Sequence, residues 1–247
     1  MLTPPEIARS LLAAGESKAR LPFGKMLLLA ILAGAYIALA GVGATAAAVT
    51  VESGSLAKLL SACVFPAGLS MVILAGSELF TGNCLMVMAL LERRITPAQL
   101  LRNWLTVYLG NAMGGAAVAA LAVYSHTASL FGDGLARSMV SIAESKAALG
   151  AGDAFLRGVL CNFLVCLAVW MAAASKRAEG KVIALFFPIL LFVLCGYEHC
   201  IANLYYLPAG AFAAAEYGME TTLTLAGCLK NLAAVTLGNL VGGAALG

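Results

Sequence analysis

The chain has 247 residues, of which 62% are hydrophobic and 11% charged, with a formal net charge of +3 and a mean hydropathy of +0.95. Soluble domains carry roughly 45–50% apolar and about 25% charged residues, so this chain lacks the charge to clothe a soluble globule. A water-soluble enzyme, a nucleic-acid binder and a disordered chain are excluded, and an integral membrane protein remains.

Residues 1–25 hold polar side chains and two early prolines rather than a short apolar core ahead of a small-residue cleavage site. They read as a cytoplasmic N-terminal segment, not a cleaved signal peptide. A bilayer core about 30 Å thick takes about 20 apolar residues per helix. Six stretches qualify: 26–49, 59–91, 105–124, 155–174, 182–215 and 229–247. The second and fifth are too long for one straight crossing, and each carries a polar interruption.

With the N-terminus inside, ten basic residues fall on the cytoplasmic side: Arg9, Lys18, Arg20, Lys25, Arg93, Arg94, Arg102, Lys176, Arg177 and Lys181. Five fall opposite: Lys58, Arg137, Lys146, Arg157 and Lys230. This bias predicts a multi-pass protein of the plasma (inner) membrane with both termini cytoplasmic.

The interruption of the second stretch reads GSELFTGN (76–83) and that of the fifth GYEHCIAN (196–203). Both have Gly, Glu two residues later and Asn five after that. Further on, NWLTVYLGNAMGG (103–115) matches NLAAVTLGNLVGG (231–243). The offsets of 120 and 128 keep the order of elements, so the chain is an internal repeat. Three spans per half force the halves into opposite orientations. The expected fold is an all-α, aquaporin-like 3+3 inverted repeat forming one membrane domain over 1–247. Repeat 1 covers about 26–124 and repeat 2 about 155–247, with spans two and five broken at the midplane, where the site lies. Irregular backbone at that depth must line a cavity or be buried in protein. The small-residue stretches 111–115 and 239–243 read as close helix-packing faces.

Glu78 and Glu198, with Asn83 and Asn203, occupy matched places and are expected to tie down the broken backbone. His199 differs, because its counterpart is Leu79: a group needed only for the fold recurs in both halves, whereas a chemical group need appear once. A neutral imidazole donates or accepts a hydrogen bond and titrates near neutrality. Thr81 offers either a hydroxyl to a small ligand or an N-cap to the half-helix that follows. His126 reads as surface. By composition Phe65, Leu69, Leu79, Phe80 and Phe192 are ordinary apolar residues. The seven cysteines form no C-x-x-C pair and behave as small hydrophobes. Adjacent Glu198 and His199 make a poor metal site, and no nucleophile triad, P-loop or redox motif accompanies them. A channel without a cofactor is expected rather than an enzyme.

The blocks GSELFTGN (76–83), NWLTVYLGN (103–111), CNFLVCLAVW (161–170), GYEHCIAN (196–203) and VTLGNLVGG (235–243) resemble the formate/nitrite transporter family. The resemblance runs from about Gly34 to the C-terminus. It implies a homopentamer with one pore per protomer, passing small monovalent weak-acid anions such as formate, nitrite or hydrosulfide. By position, the central histidine falls on His199, the break-loop threonine on Thr81, the vestibule lysine on Lys146 and the pore asparagine on Asn162. Apolar constrictions fall on Phe65 and Leu69 to one side, and on Leu79, Phe80 and Phe192 to the other. The break loop shares Ser-Glu-Leu-Phe-Thr-Gly with the nitrite type, whereas the best-known enterobacterial formate type ends in Thr-Ser-Thr. The alternative is an aquaporin-like channel for small neutral solutes. Aquaporins carry Asn-Pro-Ala in both breaks; this chain has Thr-Gly-Asn and Ile-Ala-Asn.

Overall fold

The structure is a computed structural model that describes residues 1–245; the end of the sixth expected span, Leu246 and Gly247, lies outside the described residues. It opens with α1 (Pro4–Ala19), started by Pro4 at its first position and by Glu6, whose carboxylate accepts the Thr3 N–H at 2.7 Å. The first crossing is α2 (Phe23–Ala48). The second is α3 (Gly54–Val64) followed by α4 (Pro66–Ala75), a break, a 3₁₀ turn (Gly82–Met86) and α5 (Val87–Leu91).

The third crossing, α6 (Pro97–Tyr124), starts eight residues before the apolar stretch. Its Thr96–Gln99 capping box puts the helix start in the polar approach. Then come α7 (Gly134–Ala148) and the fourth crossing, α8 (Ala151–Ala173). The fifth is divided into α9 (Ala178–Leu194) and α10 (Cys200–Glu216), and the last is α11 (Leu225–Ala244). Among the described residues, five segments are long and apolar enough to cross a membrane, α3 and α4 counting together as one, and the α9–α10 crossing is shared between two helices of 17 residues.

Both breaks are made the same way. Gly76 and Gly196 adopt φ of 73° and 69°, a left-handed turn that glycine enters without a Cβ clash. The next amides fold back, Ser77 onto the Val72 carbonyl and Tyr197 onto the Phe192 carbonyl, each at 3.0 Å. A helix ended by such a turn leaves its continuation to be held by something else.

That holding is done by two asparagines, which corrects their reading as members of packing faces. Asn111 Nδ2 donates to the carbonyls of Ala30 (2.8 Å) and Glu78 (2.9 Å), and its Oδ1 accepts the Phe80 N–H at 2.9 Å. Asn239 repeats this with Gly158 (2.8 Å), Glu198 (2.9 Å) and the Cys200 N–H (2.9 Å). Each amide thus satisfies backbone groups that the break removes from helical pairing. The adjoining glycines do pack helices closely. A Cβ on Gly114 would overlap the Ile31 carbonyl oxygen, and one on Gly242 the Val159 carbonyl oxygen. These contacts join α2 to α6 and α8 to α11 in matching fashion.

Helices α1 and α7 are absent from the sequence reading because both are too polar to count as spans. The structure makes them counterparts. Each carries in its last turn a lysine, Lys18 or Lys146, that reaches the break of its own half.

Candidate pore

The break at 76–81 and the start of α10 bring Thr81 and His199 together: Thr81 Oγ1 and His199 Nε2 lie 2.9 Å apart, both buried. His199 is also the N-cap of α10, its Nδ1 accepting the Ala202 N–H at 3.1 Å. A neutral ring whose Nδ1 accepts must carry its proton on Nε2, so Nε2–H donates to Thr81 Oγ1. The Thr81 hydroxyl proton is then free for another acceptor. Thr81 itself makes no side-chain cap, so of its two expected uses the structure favours the polar contact over the cap.

Cavities approach this pair from two directions. One, of about 890 Å³, is lined by Lys146, Glu198, His199, Phe65 and Phe192 among others. The other, of about 650 Å³, is lined by Lys18, Glu78, Asn83, Leu69 and Leu79 among others. This regroups the apolar residues. Phe65 meets Phe192 edge-to-face, with centroids 5.6 Å apart, and Phe192 stacks on His199 at 5.8 Å. Leu69 lies one helical turn, about 6 Å, further along the same helix, so it joins Leu79 on the opposite side. Phe80 lines neither cavity; it packs edge-on against Tyr108 at 5.1 Å and Trp104 at 6.4 Å.

The carboxylates do not hold the broken backbone; they anchor cations. Lys18 Nζ donates to Glu78 Oε1 (2.9 Å) and Asn83 Oδ1 (2.8 Å). Asn83 Nδ2 donates to Glu78 Oε2 (2.7 Å) and Asn103 Oδ1 (2.9 Å). In the other half, Lys146 Nζ donates to both Glu198 oxygens, at 2.9 and 3.0 Å, and sits 5.4 Å from the Tyr206 ring centroid. Asn203 Nδ2 donates to Glu198 Oε2 (2.7 Å) and Asn231 Oδ1 (2.8 Å). The halves differ in where the lysine donates: Lys18 divides its bonds between Glu78 and Asn83, whereas Lys146 gives both to Glu198, so Asn203 Oδ1 is buried with no partner among the described residues. Each ion pair is mostly enclosed, with carboxylate side chains 6% and 7% exposed, so the pairing offsets a desolvation cost that a lone carboxylate would bear.

Asn162 is brought near the pair but turned away from both cavities. Its Nδ2 donates to the Asn239 carbonyl at 2.7 Å and contacts Cys84 Sγ at 3.3 Å. His126 is exposed in the turn after α6. The sequence reading missed Lys18, Asn111 and Asn239 as site supports. A signal was present: ESKA occurs at 16–19 and again at 144–147, at the same offset of 128.

Two interrupted helices whose ends meet between cation-bearing cavities, in a bundle of membrane-spanning length, define a membrane channel. The sequence profile of the family described as "Formate/nitrite transporter" matches residues 5–247. A "Probable formate transporter" of Methanothermobacter thermautotrophicus is 38% identical, covering 98% of this chain and 93% of that protein. "Formate channel FocA" of Haemophilus influenzae is 39% identical over 87% of this chain and 81% of its own length. Among solved structures, an "FNT family ion channel" superposes with a TM-score of 0.87 at 31% identity, covering 98% of this chain and 95% of that one. A "Pentameric formate channel with formate bound" gives 0.80 at 32% identity, covering 90% and 92%. The chain belongs to the formate/nitrite transporter family. It is a multi-pass membrane channel or transporter rather than an enzyme.

Proposed function

We propose that this chain conducts small monovalent anions of weak acids, formate, nitrite or hydrosulfide, through a pore whose centre is the Thr81–His199 pair. The observation that carries this reading is the hydroxyl of Thr81, held by His199 Nε2 with its own proton unspent, between cavities that each bear a lysine. The relatives named above include a formate transporter and formate channels, one of them a pentamer with formate bound, which supports formate first.

The physical problem is the apolar stretch. An unpaired charge moved past Phe65 and Phe192, or past Leu69 and Leu79, loses hydration at a cost of several kcal/mol or more. Lys146 and Lys18 are each matched by a carboxylate; the basic residues beyond those pairs, Lys58, Arg137 and Arg157 in one mouth and Lys176 and Lys181 in the other, raise anion concentration there. At the centre the anion accepts a hydrogen bond from the Thr81 hydroxyl, which keeps its proton; where the anion crosses as the neutral acid, the proton comes from water in the mouth and returns to water on the far side. Weak acids suit this scheme and chloride does not. His199 keeps Thr81 oriented, because protonating Nδ1 would set two N–H groups face to face at the α10 cap. Asn162 acts indirectly, fastening α8 to α11 beside Cys84. A channel for neutral solutes has no use for cations in both mouths.

The chain 1–247 is read as one membrane domain of two inverted repeats, assembled as a homopentamer like the pentameric relative. It sits in the plasma (inner) membrane with both termini and the Lys18 cavity cytoplasmic. The test is flux through proteoliposomes, compared across formate, nitrite, hydrosulfide, chloride and sulfate at two pH values. Fast formate, nitrite or hydrosulfide with slow chloride and sulfate is expected; rapid sulfate passage would overturn the weak-acid scheme.

A further inference from the structure

The Lys146-side cavity carries more cation than its ion pair explains. Four basic residues line it, Lys58, Arg137, Lys146 and Arg157, against one carboxylate, Glu198. Both Glu198 oxygens accept from Lys146, so that pair contributes little net charge. Arg137 donates to the Gly132 carbonyl. The side chains of Arg157 and Lys58 make no hydrogen bond or ion pair among the described residues.

The repeat sharpens the choice. Arg157 corresponds to Leu29: the Arg157 carbonyl accepts the Glu198 N–H as the Leu29 carbonyl accepts the Glu78 N–H. Lys58 corresponds to Ala178 at the offset of 120 shared by the breaks. The fold thus builds this position with leucine and alanine in the other half and has no structural need for a guanidinium or an ammonium. The same asymmetry distinguishes His199 from Leu79. The Arg157 backbone is also fixed next to the break, so its side chain is rooted at the depth of Glu198 rather than on a loose loop.

We propose that Arg157, assisted by Lys58, forms a receiving subsite for planar two-oxygen anions ahead of Lys146. A guanidinium presents parallel N–H groups that match two oxygens of one carboxylate or nitrite, whereas an ammonium acts as a point charge. Hydrosulfide, with a single sulfur, gains only the charge. The subsite therefore discriminates by shape before the anion reaches the Thr81–His199 pair. This inference rests on the weak-acid anion reading above.

The test measures half-saturation for formate and for hydrosulfide in proteoliposomes of the full chain, with thermal stability as the folding control. Arg157→Lys is expected to raise the formate value about threefold, the scale of a partly exposed charged contact, while leaving hydrosulfide and both maximal rates unchanged. Arg157→Gln and Lys58→Gln are expected to raise the value for both anions. Equal shifts for formate and hydrosulfide in Arg157→Lys would overturn the two-oxygen subsite, and wild-type values in all three variants would remove both residues from the path. If the wild type carried neither anion, the channel reading itself would fall, which is a different result from a wild type that conducts and variants that do not differ. Should Arg157 variants fail to fold, Lys58→Gln still decides, since an unshifted formate value there overturns the proposal.

Discussion

His199 and Thr81 stand 118 positions apart in sequence and 2.9 Å apart in space, one from each half of the repeat. The contact exists because the break in each half delivers a polar side chain to the same place from opposite directions. One half contributes a hydroxyl that does not cap its helix, and the other a ring that does. Thr81→Val leaves the buried Nε2–H without an acceptor, at an expected cost of about 1–3 kcal/mol, and removes the proton offered to the anion. Thermal unfolding in detergent and formate flux should both fall, and Thr81→Ser should restore both. A valine variant as fast as wild type would detach Thr81 from conduction.

The class, the span positions and the two breaks were legible because they are written locally: apolar length, a glycine, and a glutamate two residues beyond it. Repetition at 120 and 128 residues made the inverted halves legible too. What escaped was side-chain reach. The breaks advertise Glu78 and Glu198, yet the groups holding their backbone are Asn111 and Asn239, dozens of residues away in a stretch that looks like packing glycine. Lys18 lies in a segment too polar for a span, and only the second ESKA links it to Lys146. Phe65 and Leu69 line different cavities because a single helical turn separates them, and which cavity each faces is set by neighbours far away in the chain.

The ion pairs should show an asymmetry between single and double substitution. Lys146→Met strands Glu198, which is 5% exposed, and is expected to destabilise by about 3 kcal/mol or more. Adding Glu198→Gln removes the stranded charge and should recover most of that loss. Unfolding midpoints of the two singles and the double complete the cycle; additive losses would mean that the pair is not coupled. Lys18→Met with Glu78→Gln should behave alike, though less strongly, because the Lys18 side chain is 30% exposed against 15% for Lys146.

Asn239 is predicted to tolerate no acid. Asn239→Asp replaces an N–H₂ that feeds the Gly158 and Glu198 carbonyls with an oxygen facing two oxygens. Asn239→Ala leaves those two carbonyls and the Cys200 N–H unpaired, at about 1–3 kcal/mol for each stranded group, but sets no charge against them. The aspartate variant should therefore be the less stable of the two near neutral pH, and acidification should narrow the gap as the carboxyl takes up a proton. The comparison is read from detergent-solubilised yield and unfolding temperature. Equal stability of the two variants would show that Asn239 does not hold the break by donation.

A last dependence on pH lies outside the membrane-spanning segments, at Glu144 of α7. Its carboxylate accepts the Thr222 N–H at 2.7 Å and the Thr221 and Thr222 hydroxyls at 2.9 and 3.1 Å. The Thr222 backbone bond, then the Thr221 hydroxyl, hold its carboxyl below the ordinary value of 4.5. A lowered carboxyl stabilises the folded form fully above the unfolded value, and that contribution fades as pH drops from 4.5 through the lower folded value. The segment 219–224, which leads into α11, should accordingly loosen only in acid. Hydrogen exchange of the Thr222 amide, corrected for its intrinsic pH dependence, should speed up below that window in the wild type. Glu144→Ala should exchange fast at every pH, and a wild-type amide equally protected in acid would disprove the latch.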